Sequence, residues 1–381
     1  MKFFHLSDLH LGKRVNEFSM LEDQEDILQK IVVLAKEHKP DAVLIAGDVY
    51  DKSMPIVEAV QLLDRFLVWL NELGIAVFVI SGNHDNAERV AFGAELLKNS
   101  NLHIVQSYNG KMKPVTLSDE YGELHIWMLP YLRPSIVRKH FTDKDIATYT
   151  DALSAALSAA NLDTSARNVL ITHQFITGAA TSESEEISVG GSENVDGSLF
   201  DIFDYVALGH LHRPQRVGRE TMRYSGTPLK YSFSEADHTK SVTVVTMGGK
   251  DDIEIVEMPL VPFREMREVR GTYNEVMNRN SYRDTNTDDY IRIVLTDEQD
   301  EPDAMAKLRN VYPNLMRWEY DNKRTQASGS FETVASSTDK KTPSQLFKEL
   351  FEKQNGQSMN GEQSRYVENL FNEIWREVAH S

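Results

Sequence analysis

Five times in this chain a short apolar, strand-like run stops at a cluster of acid, amide or imidazole side chains. Ala42–Ala46 runs into Gly47-Asp48-Val49-Tyr50-Asp51, and Ile75–Ile80 into Ser81-Gly82-Asn83-His84-Asp85. Val169–Thr172 runs into His173, Tyr205–Gly209 into His210-Leu211-His212, and Phe3–Leu6 into Ser7-Asp8-Leu9-His10. Unbroken apolar runs of this length suit strands covered on both faces, as in a parallel sheet. Gly47 lets the backbone turn sharply, so Asp48 projects from a strand's carboxyl end, where open α/β sheets collect ligands. Taken alone, Asp48 reads as well as a loop cap as it does as a ligand; the repetition of the pattern favours the ligand.

Between the runs the spacing is helical. Glu22–Glu37 carries Ile27, Leu28, Ile31 and Leu34 on one face, and Pro40 marks its end. A second helix is expected from Pro55 to Leu73, apolar on more than one face through Val57, Val60, Leu63, Phe66, Leu67 and Leu70, with Leu62 and Trp69 besides. One stripe suffices for a core, so the surplus is either buried in the domain or forms a second contact such as a homodimer face. Strands alternating with helices predict an α/β domain. Leu124–Leu129, Val242–Met247 and Ile253–Met258 add a second sheet, and the domain is expected to end near Pro262.

Residues 263–322 read as strand, helix, strand, helix, strand, a small α+β cap. Residues 323–341 are rich in Ser, Thr and charge and read as a linker. Residues 342–381 read as a helical tail, opened by Thr342 as N-cap, Pro343 at the first helical position and Gln345. Its apolar faces are Leu346, Phe347, Leu350 and Phe351, then Val367, Leu370, Phe371, Ile374 and Val378. A tail this short builds no core of its own, so it docks on a partner's helices or back on its own domain.

Composition sets outer bounds. A length of 381 residues accommodates two domains and a tail, and 41% hydrophobic with 26% charged residues is ordinary for a globular chain. No run of about 20 apolar residues predicts a membrane-spanning helix, and the first residues lack a signal-peptide core. The absence of Cys excludes disulfides and thiolate metal sites and is compatible with the cytoplasm. A formal charge of −17 argues against loose adhesion to nucleic acid, although bound cations offset part of that field.

The candidates Asp8, His10, Asp48, Asn83, His84, His173, His210 and His212 mix carboxylate, amide and imidazole. Such sets suit manganese, iron or zinc, whereas magnesium prefers oxygen and retains its waters. They exceed what one ion needs. Two ions about 3.5–4 Å apart that share a carboxylate can activate a hydroxide and clamp the oxygens of an in-line displacement at phosphorus. A further, non-ligand acid would then protonate the departing oxygen. Arg213, Arg216, Arg219, Arg223 and Lys230 form one candidate phosphate-binding strip, and Arg133, Arg138 and Lys139 a second, neither interleaved with stacking aromatics.

Asp8-x-His10, Gly47-Asp48-x-x-Asp51, Gly82-Asn83-His84-Asp85, His173 and Gly209-His210-x-His212 occur in an order that resembles the calcineurin-like metallophosphoesterase family. Pro130-Tyr131-Leu132-Arg133-Pro134, Ser188-Val189-Gly190-Gly191 and Tyr224-Ser225-Gly226-Thr227-Pro228-Leu229 narrow the resemblance to the bacterial SbcD-type nuclease subunits, relatives of Mre-type double-strand-break nucleases. The resemblance implies a four-layer sandwich of two mixed β-sheets flanked by helices, with a capping domain and a helical tail. It implies one ion held by Asp8, His10, Asp48 and His212, the other by Asp48, Asn83, His173 and His210, with Mn2+ the expected metal. His84 would be the catalytic non-ligand. Asp51 stands where some relatives carry a second His and is expected to support a ligand histidine; Asp85 is expected to cap the helix that starts near Ala87. The implied activity is 3′–5′ exonuclease on double-stranded DNA and endonuclease on single-stranded or hairpin DNA. The implied partner is an SbcC-like ATPase, in a heterotetramer with two copies of each protein. The same five blocks also fit a small-molecule phosphodiesterase, and a non-catalytic DNA tether is a third possibility that an intact ligand set disfavours.

Overall fold

The structure, a computed structural model, describes residues 1–94, 101–185, 193–328, 343–355 and 357–378. It divides into two compact units, Met1–Glu265 and Met266–Ser381.

The first unit is built on two six-stranded sheets. One contains β1 (Lys2–Leu6), β2 (Ala42–Ala46), β3 (Ala76–Ile80) and β4 (Leu102–Ile104), all mutually parallel. The other contains β5 (Val115–Asp119), β6 (Gly122–Leu129), β7 (Arg167–His173), β8 (Tyr205–Gly209), β9 (Gln215–Val217) and β10 (Arg219–Tyr224). Here β6, β7, β8 and β10 are parallel while β5 and β9 form antiparallel edges. Two further strands, β11 (Ser241–Met247) and β12 (Ile253–Pro259), return to the first sheet antiparallel, so both sheets are mixed.

Side chains alternate across a strand, and this decides which residues fill which layer. Phe3, Leu44, Phe78 and Ile80 from the first sheet meet Leu124, Ile126, Val169, Ile171 and Ala207 from the second in one buried cluster between the sheets. The outer face of the second sheet, with Trp127, Leu170, Val206 and Leu208, is covered by Leu153 and Ala156 of a helix at Tyr149–Ser158. That helix opens with a Thr148/Asp151 capping box. The first sheet's outer face belongs to α1 (Leu21–His38) and α2 (Val57–Glu72), completing the four layers.

Of the apolar surplus on α2, Leu62, Leu63, Phe66 and Leu70 are buried, whereas Val57 (66% exposed) and Val60 (43%) face outward, joined by Val68 (47%), which the expected faces did not include. The stretch Gln215–Tyr224, read from sequence as a basic strip, is an antiparallel strand pair. Its charge had hidden a β pattern in which Val217, Met222 and Tyr224 point inward.

In the second unit three parallel strands, Met266–Gly271, Tyr290–Leu295 and Leu315–Tyr320, alternate with short helices. Ile291, Ile293, Leu295, Leu308 and Leu315 form its core. The stretch read as a linker begins with a helix at Lys323–Ser328. Tail helices at Pro343–Asn355 and Gly361–Val378 touch through an edge contact of Phe347 with Phe371 and a 2.6 Å Lys348–Glu368 ion pair. The readings on Thr342 and on Ser188–Gly191 lie outside the described residues, as do the side chains of Leu346, Ile374 and Val378.

Candidate metal centre

All five polar clusters lie at the carboxyl ends of parallel strands, and the two sheets bring those ends together. Asp8 and His10 follow β1, Asp48 follows β2, Asn83 and His84 follow β3, His173 closes β7, and His210 and His212 follow β8. Hydrogen bonds cross the seam: His173 Nδ1 donates to Ala46 O at 2.8 Å, and His210 N donates to the Asp8 carboxylate at 3.1 Å. The approach is so close that a Cβ on Gly209 would stand 1.8 Å from Ala46 O. A Cβ on Gly82 would stand 2.1 Å from Asp48 Oδ1. Asp8, His10, Asp48 and His210 themselves have positive φ, a region L-residues occupy only when the surroundings hold them there. No sequence pattern had indicated that strain.

The side chains converge in three overlapping groups: Asp8, His10 and His212; Asp48, His173 and His210; and His10, Asp48 and His84. Asp48 Oδ2 lies 3.3 Å from His173 Nε2, 3.8 Å from His10 Nε2 and 3.9 Å from His84 Nε2. Asn83 Oδ1 stands 2.9 Å from His173 Nε2 and 3.0 Å from His210 Nδ1, and His10 Nε2 stands 3.2 Å from His212 Nε2. Apart from half-buried Asn83 and His84, these side chains are at most 4% exposed.

The donor chemistry fits divalent cations. Among the described residues, buried His10 Nδ1 and His210 Nε2 have no hydrogen-bond partner. The cluster thus offers more lone pairs than it has polar hydrogens to occupy them, and carboxylates as deep as Asp8 and Asp48 need compensating positive charge. Burial pushes the Asp8 carboxyl above its ordinary range, with His173 opposing and Asp48 reinforcing. Burial likewise drives His210 down to about 3, helped by the neighbouring His173. At Asp48 burial is outweighed by His173, His10 and His84, so this carboxylate is held well below its usual range. His173 shows the reciprocal effect: burial lowers it, but Asp48 lifts it to about 9.

Two supporting acids have roles that differ from expectation. The helix at Ala87–Val90 is capped by Asn86, which accepts from Arg89 N at 3.1 Å, and Asp85 does not cap it. Asp85 instead accepts from Val49 N, Tyr50 N and Gly82 N at 2.9–3.0 Å, tying the Asp48 loop to the Asn83 loop. Burial and the nearby Asp48 raise its carboxyl to about 6, against those three donors. Asp51 reaches His84 through its main-chain carbonyl, 3.0 Å from His84 Nδ1. Its carboxylate pairs with Lys13 at 2.7 Å and stays 3.7 Å from His10 Nδ1.

The first basic strip is largely consumed by the fold. Arg219 donates to the carbonyls of Phe200, Phe203 and Asp204, Arg223 is buried between Glu220 and Glu257, and Lys230 pairs with Glu265 at 2.8 Å. Arg213 stays exposed with no ion pair among the described residues. In the second strip Arg133, Arg138 and Lys139 are all exposed. This strip has an aromatic that the sequence reading passed over: the Tyr131 ring lies nearly parallel to His210, 21° between planes and 6.5 Å between centroids. Arg133 sits 5.7 Å from that ring's centroid.

Comparison with known proteins agrees with this geometry. Residues 1–214 match the calcineurin-like phosphoesterase family, and residues 262–355 match the type 5 capsule protein repressor C-terminal domain. The SbcD component of nuclease SbcCD from Staphylococcus epidermidis is 37% identical over 320 residues, 83% of this chain and 84% of that protein. Among solved structures, a dimetal phosphatase from Danio rerio aligns over 68% of this chain and 96% of its own, at 12% identity and a TM-score of 0.43. An anchor protein of the Plasmodium inner membrane complex aligns over 84% and 96%, at 12% identity and a TM-score of 0.42. The chain belongs to the SbcD family of nuclease subunits, within the calcineurin-like phosphoesterases.

Proposed function

We propose that the chain hydrolyses DNA phosphodiester bonds with two divalent cations, foremost Mn2+. Asp8, His10, Asp48 and His212 hold one, and Asp48, Asn83, His173 and His210 hold the other. The observation that carries this reading is the position of Asp48, whose one carboxylate oxygen faces an imidazole of each group, His10 at 3.8 Å and His173 at 3.3 Å. When bound, the pair supplies Lewis acidity and an activated hydroxide for in-line attack at phosphorus.

The protein's own groups do the rest. Main-chain carbonyls hold His173 and His84 by Nδ1, which leaves each Nε2 facing Asp48. His84 is the most accessible histidine of the cluster and is assigned the non-ligand role. With Nδ1–H held by the Asp51 carbonyl, an Nε2–H exists only on the doubly protonated ring; in that form His84 stabilises the charge developing on the phosphoryl group and donates its Nε2 proton to the departing oxygen. Tyr131 and Arg133 line the approach, where a guanidinium contributes a backbone-phosphate contact without reading sequence.

The relative's name places it in nuclease SbcCD, which supports a complex of this chain with an SbcC-like ATPase, two copies of each, with the tail beyond residue 342 as the docking segment. The outward Val57, Val60 and Val68 of α2 support a homodimer face. No helix among the described residues is long and apolar enough to cross a membrane. Likeness to a nuclease subunit supports work on DNA in the cytoplasm. The test is a nuclease assay with Mn2+ on single-stranded, hairpin and blunt duplex DNA, with and without the ATPase. Cutting of the first two by the chain alone is expected. Release of phosphate from p-nitrophenyl phosphate without DNA cleavage would replace this reading with a small-molecule phosphodiesterase.

A further inference from the structure

One histidine proposed as a ligand is held by a relay of side chains. The ligand His173 and the non-ligand His84 are oriented by the carbonyls of Ala46 and Asp51, which any residue at those positions supplies, and His210 Nδ1 meets Asn83 Oδ1 directly. His212 is gripped at its polar handles largely by side chains from two distant segments. Ser184 Oγ lies 2.6 Å from its Nδ1, Glu185 Oε1 accepts from its backbone N at 2.6 Å, and Lys240 Nζ donates to its carbonyl at 2.7 Å. Behind Ser184 stands Glu235, fully buried, which accepts from the Ser184 hydroxyl with one oxygen and from Lys240 at 2.5 Å with the other. The three donors of Lys240 are thereby used on Glu235, the His212 carbonyl and Thr227 Oγ1, the last at 2.7 Å.

We propose that Ser184 and Glu235 are positioning residues for His212, a hydroxyl relay that sets the affinity of the cation site His212 shares with Asp8 and His10. A serine hydroxyl has one hydrogen. With that hydrogen given to Glu235, the oxygen meets His212 Nδ1 with a lone pair, so Nδ1 is the atom that donates. His212 therefore keeps its proton on Nδ1 and a bare lone pair on Nε2, the nitrogen that faces His10 at 3.2 Å. The Lys240 ion pair keeps Glu235 an acceptor and fixes it in place. Outer partners of this kind set the tautomer, angle and basicity of a ligand imidazole, and their loss typically costs about 10–100-fold in metal affinity.

The inference rests on the two-cation reading above, so the test is a Mn2+ titration of the full-length chain by calorimetry, with the melting temperature of the metal-free protein measured alongside. Glu235→Gln leaves Lys240 buried beside a neutral amide and can unfold the domain, so Ser184→Ala, at a half-buried position, carries the test. Ser184→Ala is expected to weaken one of two Mn2+ sites by about 10–100-fold, leaving the other site and the metal-free melting temperature unchanged. Ser184→Thr, which keeps the hydroxyl, is expected to restore the lost affinity. Two sites of wild-type affinity in Ser184→Ala, equal weakening of both, or no rescue by Thr would each overturn the inference alone. Fewer than two Mn2+ bound by the wild-type chain would overturn the two-cation reading and the inference with it.

Discussion

His84 Nδ1 meets the main-chain carbonyl of Asp51 at 3.0 Å, while the Asp51 carboxylate turns to Lys13 at 2.7 Å. The motif's conspicuous acid therefore serves the candidate catalytic histidine through its backbone, which a substitution does not remove. Asp51→Ala should keep turnover within about tenfold of wild type, whereas His84→Ala should lose about 10²–10⁴-fold, the usual value of a positioned proton donor. Elemental analysis of the two purified variants should find metal content near wild type in both. Loss of both ions in His84→Ala would make His84 a ligand, a role its place in the His10, Asp48 and His84 group also permits.

Asp48 and His212 should separate in a metal count. Asp48 faces imidazoles of both groups, whereas His212 belongs to the group of Asp8 and His10. Asp48→Asn should weaken both sites together, and His212→Ala should lose roughly one equivalent of a two-ion complement. Equal losses in the two variants would show that Asp48 is not shared.

Much of this centre was legible in the sequence, because β1, β2, β3, β7 and β8 are buried on both faces and so appear as unbroken apolar runs. The polar residues ending those runs stand out for the same reason. What was not legible depends on the seam between sheets. That Gly209 must pass Ala46 O, or that Asp85 ties two ligand loops together instead of capping a helix, follows from contacts between segments far apart in sequence. The Arg219 and Arg223 strip misled because charge on a strand suggests solvent, while the carbonyls and carboxylates that bind these arginines lie on other segments. The relay behind His212 was hidden similarly: Ser184, Glu235 and Lys240 carry no spacing that links them to a candidate ligand 23–28 residues away.

Acid stability should report a pair remote from the candidate metal centre. Arg167 grips Asp119 through both guanidinium nitrogens, at 2.5 and 3.2 Å, and this holds the Asp119 carboxyl well below its usual range. A carboxyl whose folded pKa is depressed contributes stability that is complete above its unfolded pKa and is lost as pH falls toward the folded one. The stability gap between wild type and Asp119→Asn should thus be the same at pH 7 and 6, then narrow from about pH 4 downward. Urea denaturation at each pH measures it; a gap that stays constant down to pH 3 would contradict the depressed value.

Arg133 and Arg223 make opposite predictions from the same residue type. Arg133 is exposed beside the Tyr131 ring, near the candidate metal ligands, and makes no ion pair among the described residues. Arg223 is buried and committed to Glu220 and Glu257. If the substrate backbone passes Tyr131, Arg133→Ala should weaken DNA binding across sequences and lower the slope of log affinity against log salt by about one, without changing metal content or melting temperature. Arg223→Ala should do the reverse: it removes the packing of a buried side chain and its ion pairs with the exposed Glu220 and Glu257, which lowers the melting temperature, while folded protein keeps the wild-type salt slope. Fluorescence-anisotropy titrations of single-stranded DNA over a range of salt distinguish the two. An unchanged slope in Arg133→Ala would move the DNA path away from Tyr131 and towards the exposed Arg213.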